Sequence, residues 1–350
     1  MSNLYPLGKA RIPNVVKEKL PTISFVIPTY NSEKYMQQCL ESITIQKYPQ
    51  EMLEIIIADG GSRDKTLEIA KKFDVTIVNN KLKTAEAGKA VGAKLAKNEI
   101  VAFVDSDNIL PEDTWLLKMT YPFVMEKDIS ATEPIYYTYR KKDPPLTRYC
   151  ALIGMNDPLC LFLGNYDRYN AITNKWTSLK IDTKDMEDYL KINLNIEKIP
   201  TIGANGFLVK KELIKEINEY LFDVDLIHDL VIRGHNKIAK VKVGIIHLFG
   251  TGKVDFKRKQ TRRIRDYNYY NKMKQRNYPW IKTNYLKIFK FAFFTVLGIP
   301  IIYQIIKGHG RIPDTAWRFH FSACWITLTT YVKETIIKAK SEKEVLATRN

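Results

Sequence analysis

The chain is poor in cysteine. Its four, Cys39, Cys150, Cys160 and Cys324, show no paired spacing over 350 residues, which excludes a disulfide framework and points to a reducing, cytosolic location. Residues 1–20 have no apolar core, so no signal peptide is expected. No internal repeat or low-complexity tract is present, which excludes solenoids and linker-like chains. No unbroken apolar run reaches the roughly 20 residues of a spanning helix. Residues 291–306 (FAFFTVLGIPIIYQII) fall short and contain Pro300. No Ser/His/Asp or Cys nucleophile constellation is visible. Acidic residues are scarce at one end only. From Val241 onward there are 22 Lys and Arg against 6 Asp and Glu, while the rest carries 33 against 32. An excess at one end implies an anionic partner, membrane or nucleic acid.

What is present is a run of buried-strand signals ending in polar motifs. Residues 100–104 (IVAFV) are apolar and end in Asp105 and Asp107. In an extended chain alternate residues share a face, so the two carboxylates can point at one ligand. Hard oxygen donors at a strand's carboxyl end suit a divalent cation carrying phosphate oxygens. Upstream, residues 23–27 (ISFVI) form a strand that Pro28-Thr29-Tyr30-Asn31 breaks, with Asn31 and Ser32 as helix N-caps. Tyr35, Met36, Cys39, Leu40 and Ile43 then recur at helical spacing. Residues 53–58 form a second strand running into Asp59, and residues 75–78 a third. A helix with Ala87, Ala90, Val91 and Leu95 follows. This alternation predicts a mostly parallel sheet flanked by helices, with Tyr30, Asp59 and Asp105 at the ligand-binding ends of its strands.

The order IPTYN (27–31), ADGGSRDKT (58–66), FVDSDN (103–108) and GANGFLVKK (203–211) resembles a family 2 glycosyltransferase of the GT-A fold, over residues 23–265. The resemblance implies a nucleotide-sugar donor, a UDP- or GDP-sugar, with Pro28, Tyr30, Asn31 and Asp59 on the nucleoside. It implies Asp105 on ribose or metal, Ser106 beside it, and Asp107 as main protein ligand of Mg²⁺ or Mn²⁺. Lys89 stands where the family often has a donor contact. Asp223 matches the second acid of the family's acidic pair and would be the general base; Phe222 stands where Glu is common. Asp225, two residues on, reads better as a helix cap. His247, after the apolar run 243–246, fits the place of a metal or diphosphate ligand better than His228, His235, His309 or His320. Gln260-Thr261-Arg262-Arg263-Ile264 is similar to the Gln-x-x-Arg-Trp motif of processive synthases, with Ile264 replacing Trp. Arg262 and Arg263 remain candidates to clamp the diphosphate.

The resemblance makes the function an inverting, metal-dependent sugar transfer to a hydroxyl or phosphate on a lipid-linked or envelope-glycan acceptor. Acceptor specificity is expected around residues 133–195, with Asn156, Asp157, Tyr166, Arg168, Trp176 and also Asn205 as candidate contacts, and residues 159–163 as an apolar surface. The expected organisation is an arm (1–21), a GT-A domain (22–255) and a basic helical region (256–350). Aromatics flanked by cations suit a membrane interface. Amphipathic or re-entrant helices on the cytoplasmic face of the cell membrane are therefore expected. One tilted span over 288–306, or a helix docked on the catalytic domain or in a dimer, are the alternatives. Two other classes compete. A sugar-phosphate nucleotidyltransferase needs a Gly-rich phosphate loop after the first strand, which Pro28-Thr29-Tyr30-Asn31 is not. A nucleic-acid-binding protein would use the basic tail but leaves Asp59, Asp105 and Asp107 without a role, so nucleic acid is not expected as a partner.

Overall fold

The computed structural model describes residues 4–214, 217–273, 276–278 and 285–340. The chain forms two compact units. One comprises Met1–Thr138 and Leu179–Leu248, the other Tyr139–Ser178 and Phe249–Asn350. The segment expected to hold acceptor specificity, 133–195, is thus shared: 139–178 groups with the C-terminal helices and the remainder with the sheet. The N-terminal arm belongs to the first unit. The Ala10 amide donates to the Lys242 carbonyl, and the Arg11 guanidinium is bidentate on Asp188.

The first unit begins β1 (Ile23–Thr29), α1 (Glu33–Thr44), β2 (Leu53–Asp59), α2 (Thr66–Ala70), β3 (Thr76–Asn79), α3 (Ala85–Leu95), β4 (Ile100–Phe103), β5 (Asn108–Ile109), α4 (Trp115–Met125) and β6 (Ala131–Tyr137). The chain then forms α5 (Pro145–Ile153) and α6 (Leu159–Leu163) of the second unit. It returns for β7 (Asp182–Asp185), β8 (Tyr189–Asn193), β9 (Phe207–Lys210), α7 (Asp223–Ile232) and β10 (Lys237–His247). The sheet order is β3-β2-β1-β4-β9-β6-β10-β8-β7, with β5 paired to the end of β10. The β3-β2-β1-β4 half is parallel, as the apolar runs predict. The other half is mixed, because β9 inserts antiparallel between β4 and β6 and β7–β8 is an antiparallel hairpin. β7 (DTKD) is exposed throughout. A polar edge strand of this kind carries no hydrophobic signal but resists edge-to-edge pairing.

Pro28 does not break β1, which continues to Thr29 in register with Asp59. Pairing with β4 has already ended at Val26. At Pro28, β1 has only β2 beside it, and a missing N–H is tolerated as on an edge strand. The amphipathic spacing of α1 is realised, with Met36, Cys39, Leu40 and Ile43 buried.

Helix α3 packs on β1 through glycines. A Cβ at Gly92 would stand 2.3 Å from Val26 Cγ1, and one at Gly88 would stand 2.8 Å from Pro28 Cβ. Close approach therefore fixes how α3 presents Lys89 to the strand ends. Gly92→Ala improves helix propensity yet overpacks this contact, and the expected net result is a loss of about 1–3 kcal/mol in urea unfolding. An unchanged midpoint would show that α3 can shift freely.

The second unit is helical: α5 and α6, then α8 (Lys253–Lys272), α9 (Tyr285–Leu297), α10 (Ile299–Arg311) and α11 (Phe319–Lys340). Phe291, Ile301 and Cys324 form a buried cluster, with Leu159 and Phe162 of α6 packed against it. The surface expected at 159–163 is thus largely covered by α9, Phe162 meeting Phe291 edge-on at 5.1 Å. Among the described residues no single helix is long and apolar enough to cross a membrane. α9 and α10 instead bend by 89° at Gly298, whose φ is +74°.

Candidate active site

In-register parallel pairing of β1, β2 and β4 brings Tyr30, Asp59 and Asp105 to adjacent strand ends, and loop hydrogen bonds knit them together. Asp59 is buried and organises the turn after β2. It accepts from the Gly61 and Ser62 amides at 2.8 and 2.9 Å, and from Ser62 Oγ at 2.5 Å. Asn31 is left-handed, φ +48°, a conformation Asn tolerates. Its Oδ1 accepts from the Arg63 amide, and its own amide donates to Ser62 Oγ, both at 2.9 Å. Ser32 stands at the N-cap of α1, but its hydroxyl does not cap; it bonds Ser106 Oγ at 2.8 Å. Asp64 accepts from the Glu33 amide instead. Tyr30 remains nearly half exposed beside Gly60. Pro28, Tyr30, Asn31, Asp59 and Ser106 therefore share one locality.

Asp105-Ser106-Asp107 is a turn rather than an extended strand, closed by the Asn108 amide on the Asp105 carbonyl at 2.9 Å. β4 stops at Phe103 because the chain must reverse into β5. β5 pairs His247 with Asn108, which leaves His247 Nε2 3.4 Å from Asp107 Oδ1. The Leu248 amide donates to the Asp107 carbonyl at 2.9 Å. Asn205, buried and left-handed at φ +55°, has both ends of its amide engaged below this turn. Its Oδ1 accepts from Asn108 Nδ2, and its Nδ2 donates to the Tyr137 hydroxyl, each at 3.0 Å. It braces the turn and presents little surface to an acceptor.

Lys89 is 4% exposed. Its ammonium lies 2.6 Å from Asp223 Oδ1 and 3.9 Å from Asp105 Oδ1. Burial pulls the lysine pKa down, but the two carboxylates more than reverse this and hold it above its usual range. Asp223 opens α7, with Phe222 at the N-cap. Desolvation outweighs its bond to Lys89, and nearby Asp105 adds repulsion, so its pKa is pushed up to about 6. A quarter of its side chain stays exposed, within reach of an incoming proton donor. Asp225 falls in the first turn of α7 and does not take the N-cap. Cys39 is buried under Asp105, and burial and both acidic neighbours push its thiol up. It is therefore no nucleophile.

Asp107 and His247 are donors that suit Mg²⁺ or Mn²⁺. Asp105 Oδ1, buried without a hydrogen bond, adds a carboxylate oxygen at the same turn. No group of three His, Cys, Asp or Glu is arranged to hold a metal among the described residues. These side chains could supply only part of a cation's shell, and substrate or water oxygens would have to complete it.

The remaining candidates lie in the second unit. Asp157 accepts from the Leu159 amide at 2.9 Å and the Tyr331 hydroxyl at 2.5 Å, so it is engaged structurally. Gln260 is fully buried and donates to the Asn156 carbonyl at 2.8 Å. Arg263 donates to the same carbonyl and to Gln260 Oε1. The Gln-x-x-Arg pattern thus ties α8 to residues 156–157; Arg262 is exposed. Trp176, Tyr166 and Arg168 are buried, with the Tyr166 hydroxyl shared between Thr173 and Ser178. His320 is a core residue between Tyr149 and Gln304, its pKa pushed down to about 4 by burial.

Sequence reasoning missed the Lys89–Asp223 pair and the Asn108–Asn205–Tyr137 brace. Only the Asn in each of FVDSDN and GANG hinted at the second.

Residues 24–214 match the family model described as Glycosyl transferase family 2. The chain is 36% identical over 127 residues to glycosyltransferase GlyG of Streptococcus pneumoniae serotype 4, covering 35% of this chain and 41% of that protein. It is 47% identical over 73 residues to a Methanococcus voltae protein, dolichyl N-acetyl-alpha-D-glucosaminyl phosphate 3-beta-D-2,3-diacetamido-2,3-dideoxy-beta-D-glucuronosyltransferase, covering 20% and 23%. Both matches span less than half of the relative's length. Among solved structures, mannosyltransferase PcManGT from Pyrobaculum calidifontis, in complex with GDP-Man and Mn²⁺, has a TM-score of 0.51 at 15% identity, covering 93% of this chain and 90% of that one. That likeness is one of fold. With the family model covering more than half of the sequence and the strand-end geometry above, the chain belongs to glycosyl transferase family 2 and has the GT-A fold.

Proposed function

We propose that this chain moves a sugar from a UDP- or GDP-sugar to a hydroxyl or phosphate of a lipid-linked or envelope-glycan acceptor, in one inverting displacement. The carrying observation is the pairing of Lys89 with both Asp223 and Asp105. It sets a desolvated, partly accessible carboxylate beside the turn that carries Asp105 and Asp107. The acceptor hydroxyl is a poor nucleophile near neutral pH, so its proton must go to a base. Asp223 takes that proton as the acceptor oxygen bonds the anomeric carbon and the bond from that carbon to the diphosphate oxygen breaks. Lys89 holds the Asp223 carboxylate in place. Asp107 and His247 would hold the divalent ion, with Asp105 alongside, and such an ion offsets charge on the departing diphosphate. The dolichyl phosphate in the name of the Methanococcus voltae relative supports a lipid-linked acceptor, and with such an acceptor the reaction would take place at the cytoplasmic face of a membrane.

The test is nucleoside diphosphate release from a panel of nucleotide-sugars with Mn²⁺ or Mg²⁺ and a membrane lipid extract. Release from one donor, abolished by a chelator and restored by metal, is expected. Asp107→Ala is expected to raise the metal concentration for half-maximal activity by at least the roughly 10–100-fold that outer-shell partners alone can cost. Pyrophosphate release would instead identify a nucleotidyltransferase. No donor turnover at all would overturn the transferase reading.

A further inference from the structure

We propose that the outer faces of α9 and α10 form a docking surface for an anionic lipid bilayer. Each helix has 13 residues, about 20 Å at 1.5 Å per residue, against a hydrocarbon core of about 30 Å. Together they are long and apolar enough for a broken span, but the 89° bend between them makes an elbow. The inner faces are fixed within the second unit. Phe291 and Ile301 enter its core with Cys324, and a Cβ at Gly308 would stand 2.5 Å from the Trp317 ring. Lys287 donates to the Leu163 carbonyl, and Arg311 to those of Ala171 and Ile172. The elbow is therefore a braced platform.

Its other side is apolar and, among the described residues, uncovered. Phe289, Phe293 and Val296 on α9 are 68, 49 and 66% exposed, and Ile299, Tyr303 and Ile306 on α10 are 75, 64 and 64% exposed. Both sets follow i, i+4, i+7 spacing, so each helix carries a stripe pointing away from the shared core. Large exposed apolar patches on soluble proteins commonly mark protein or membrane interaction sites.

Charge identifies the occupant. Residues 285–313 contain no Asp or Glu, and Lys290 and Lys307 are exposed beside the stripes. A two-fold interface between copies would set these cations against themselves, and lysine is depleted from protein interface cores. An anionic headgroup layer complements them, while the stripes enter the acyl boundary.

The test is flotation of the full chain with vesicles of phosphatidylcholine alone or mixed with phosphatidylglycerol. It reads no sugar transfer, so its result is independent of the proposed reaction. The protein is expected to float with the anionic vesicles and to be released by high salt. Lys290→Gln with Lys307→Gln is expected to weaken partitioning roughly 25-fold, about 5-fold per cation. Phe293→Glu with Ile306→Glu is expected to abolish it with an unchanged thermal midpoint, because both side chains point outward. Wild-type protein that stays unbound by both vesicle types would overturn the proposal. So would a dimer in ultracentrifugation that the two glutamates dissociate, since the face would then join copies of the chain.

Discussion

Asp223→Asn is expected to lower kcat by about 10²–10⁴-fold, the usual contribution of a positioned base, while donor affinity changes little. The amide keeps the shape of the carboxylate and can still accept from Lys89, so the fold and the α3–α7 contact survive. What disappears is a proton acceptor for the attacking hydroxyl. The pH profile separates this from a structural defect. With Asp223 raised to about 6, its basic form is present above that pH, so wild-type kcat/KM should rise through about pH 6 and level off. Lys89 lowers the Asp223 pKa, so Lys89→Met is expected to move this acid limb to higher pH. The Asn variant should lack the limb entirely. An Asp223→Asn enzyme with more than a third of wild-type kcat would assign the base elsewhere.

The sequence made the left half of the sheet and its strand-end motifs legible because both signals are local. Continuous β-branched runs mark buried parallel strands, and the polar residue that ends each run marks the ligand edge. Lys89 and Asp223 are 134 residues apart, and no local pattern announces such a pair. The Asp105–Asp107 turn was hidden for a related reason. Asp-x-Asp reads as one face of a strand until β5 is seen to turn back onto β10, a pairing of two residues. Aromatic and polar residues between 156 and 176 look like an open acceptor surface in one dimension. In the folded unit Tyr166, Asp157 and Trp176 are enclosed, which the local sequence does not show because the helices of this unit that follow begin only at Lys253. The acidic gap at residues 285–313 was fully visible, whereas which side of each helix stays uncovered depends on where α6 and α11 pack.

Glu133→Ala is expected to destabilise the protein by about 3–5 kcal/mol, the cost of removing one member of a buried ion pair. Glu133 on β6 and Lys240 on β10 are register partners, both side chains fully enclosed, and their charged ends are in direct contact. The second oxygen, Glu133 Oε1, accepts from the Gly203 amide at 2.9 Å. Gly203 has φ +124°, and a Cβ there would stand 2.7 Å from the Asp223 carbonyl oxygen, so the pair sets the loop against which α7 begins. A double variant distinguishes its structural and functional parts. Glu133→Leu with Lys240→Met removes both charges together and is expected to recover most of the stability in urea unfolding, since well-packed apolar replacements of buried pairs are often neutral or better. The Gly203 amide would still lack its acceptor, a loss of about 1–3 kcal/mol for a buried donor. Activity in the double variant should therefore remain depressed after stability has returned, with kcat falling more than donor affinity. If the double variant regained both, Glu133 would serve the sheet alone and the placement of Asp223 would rest on Lys89.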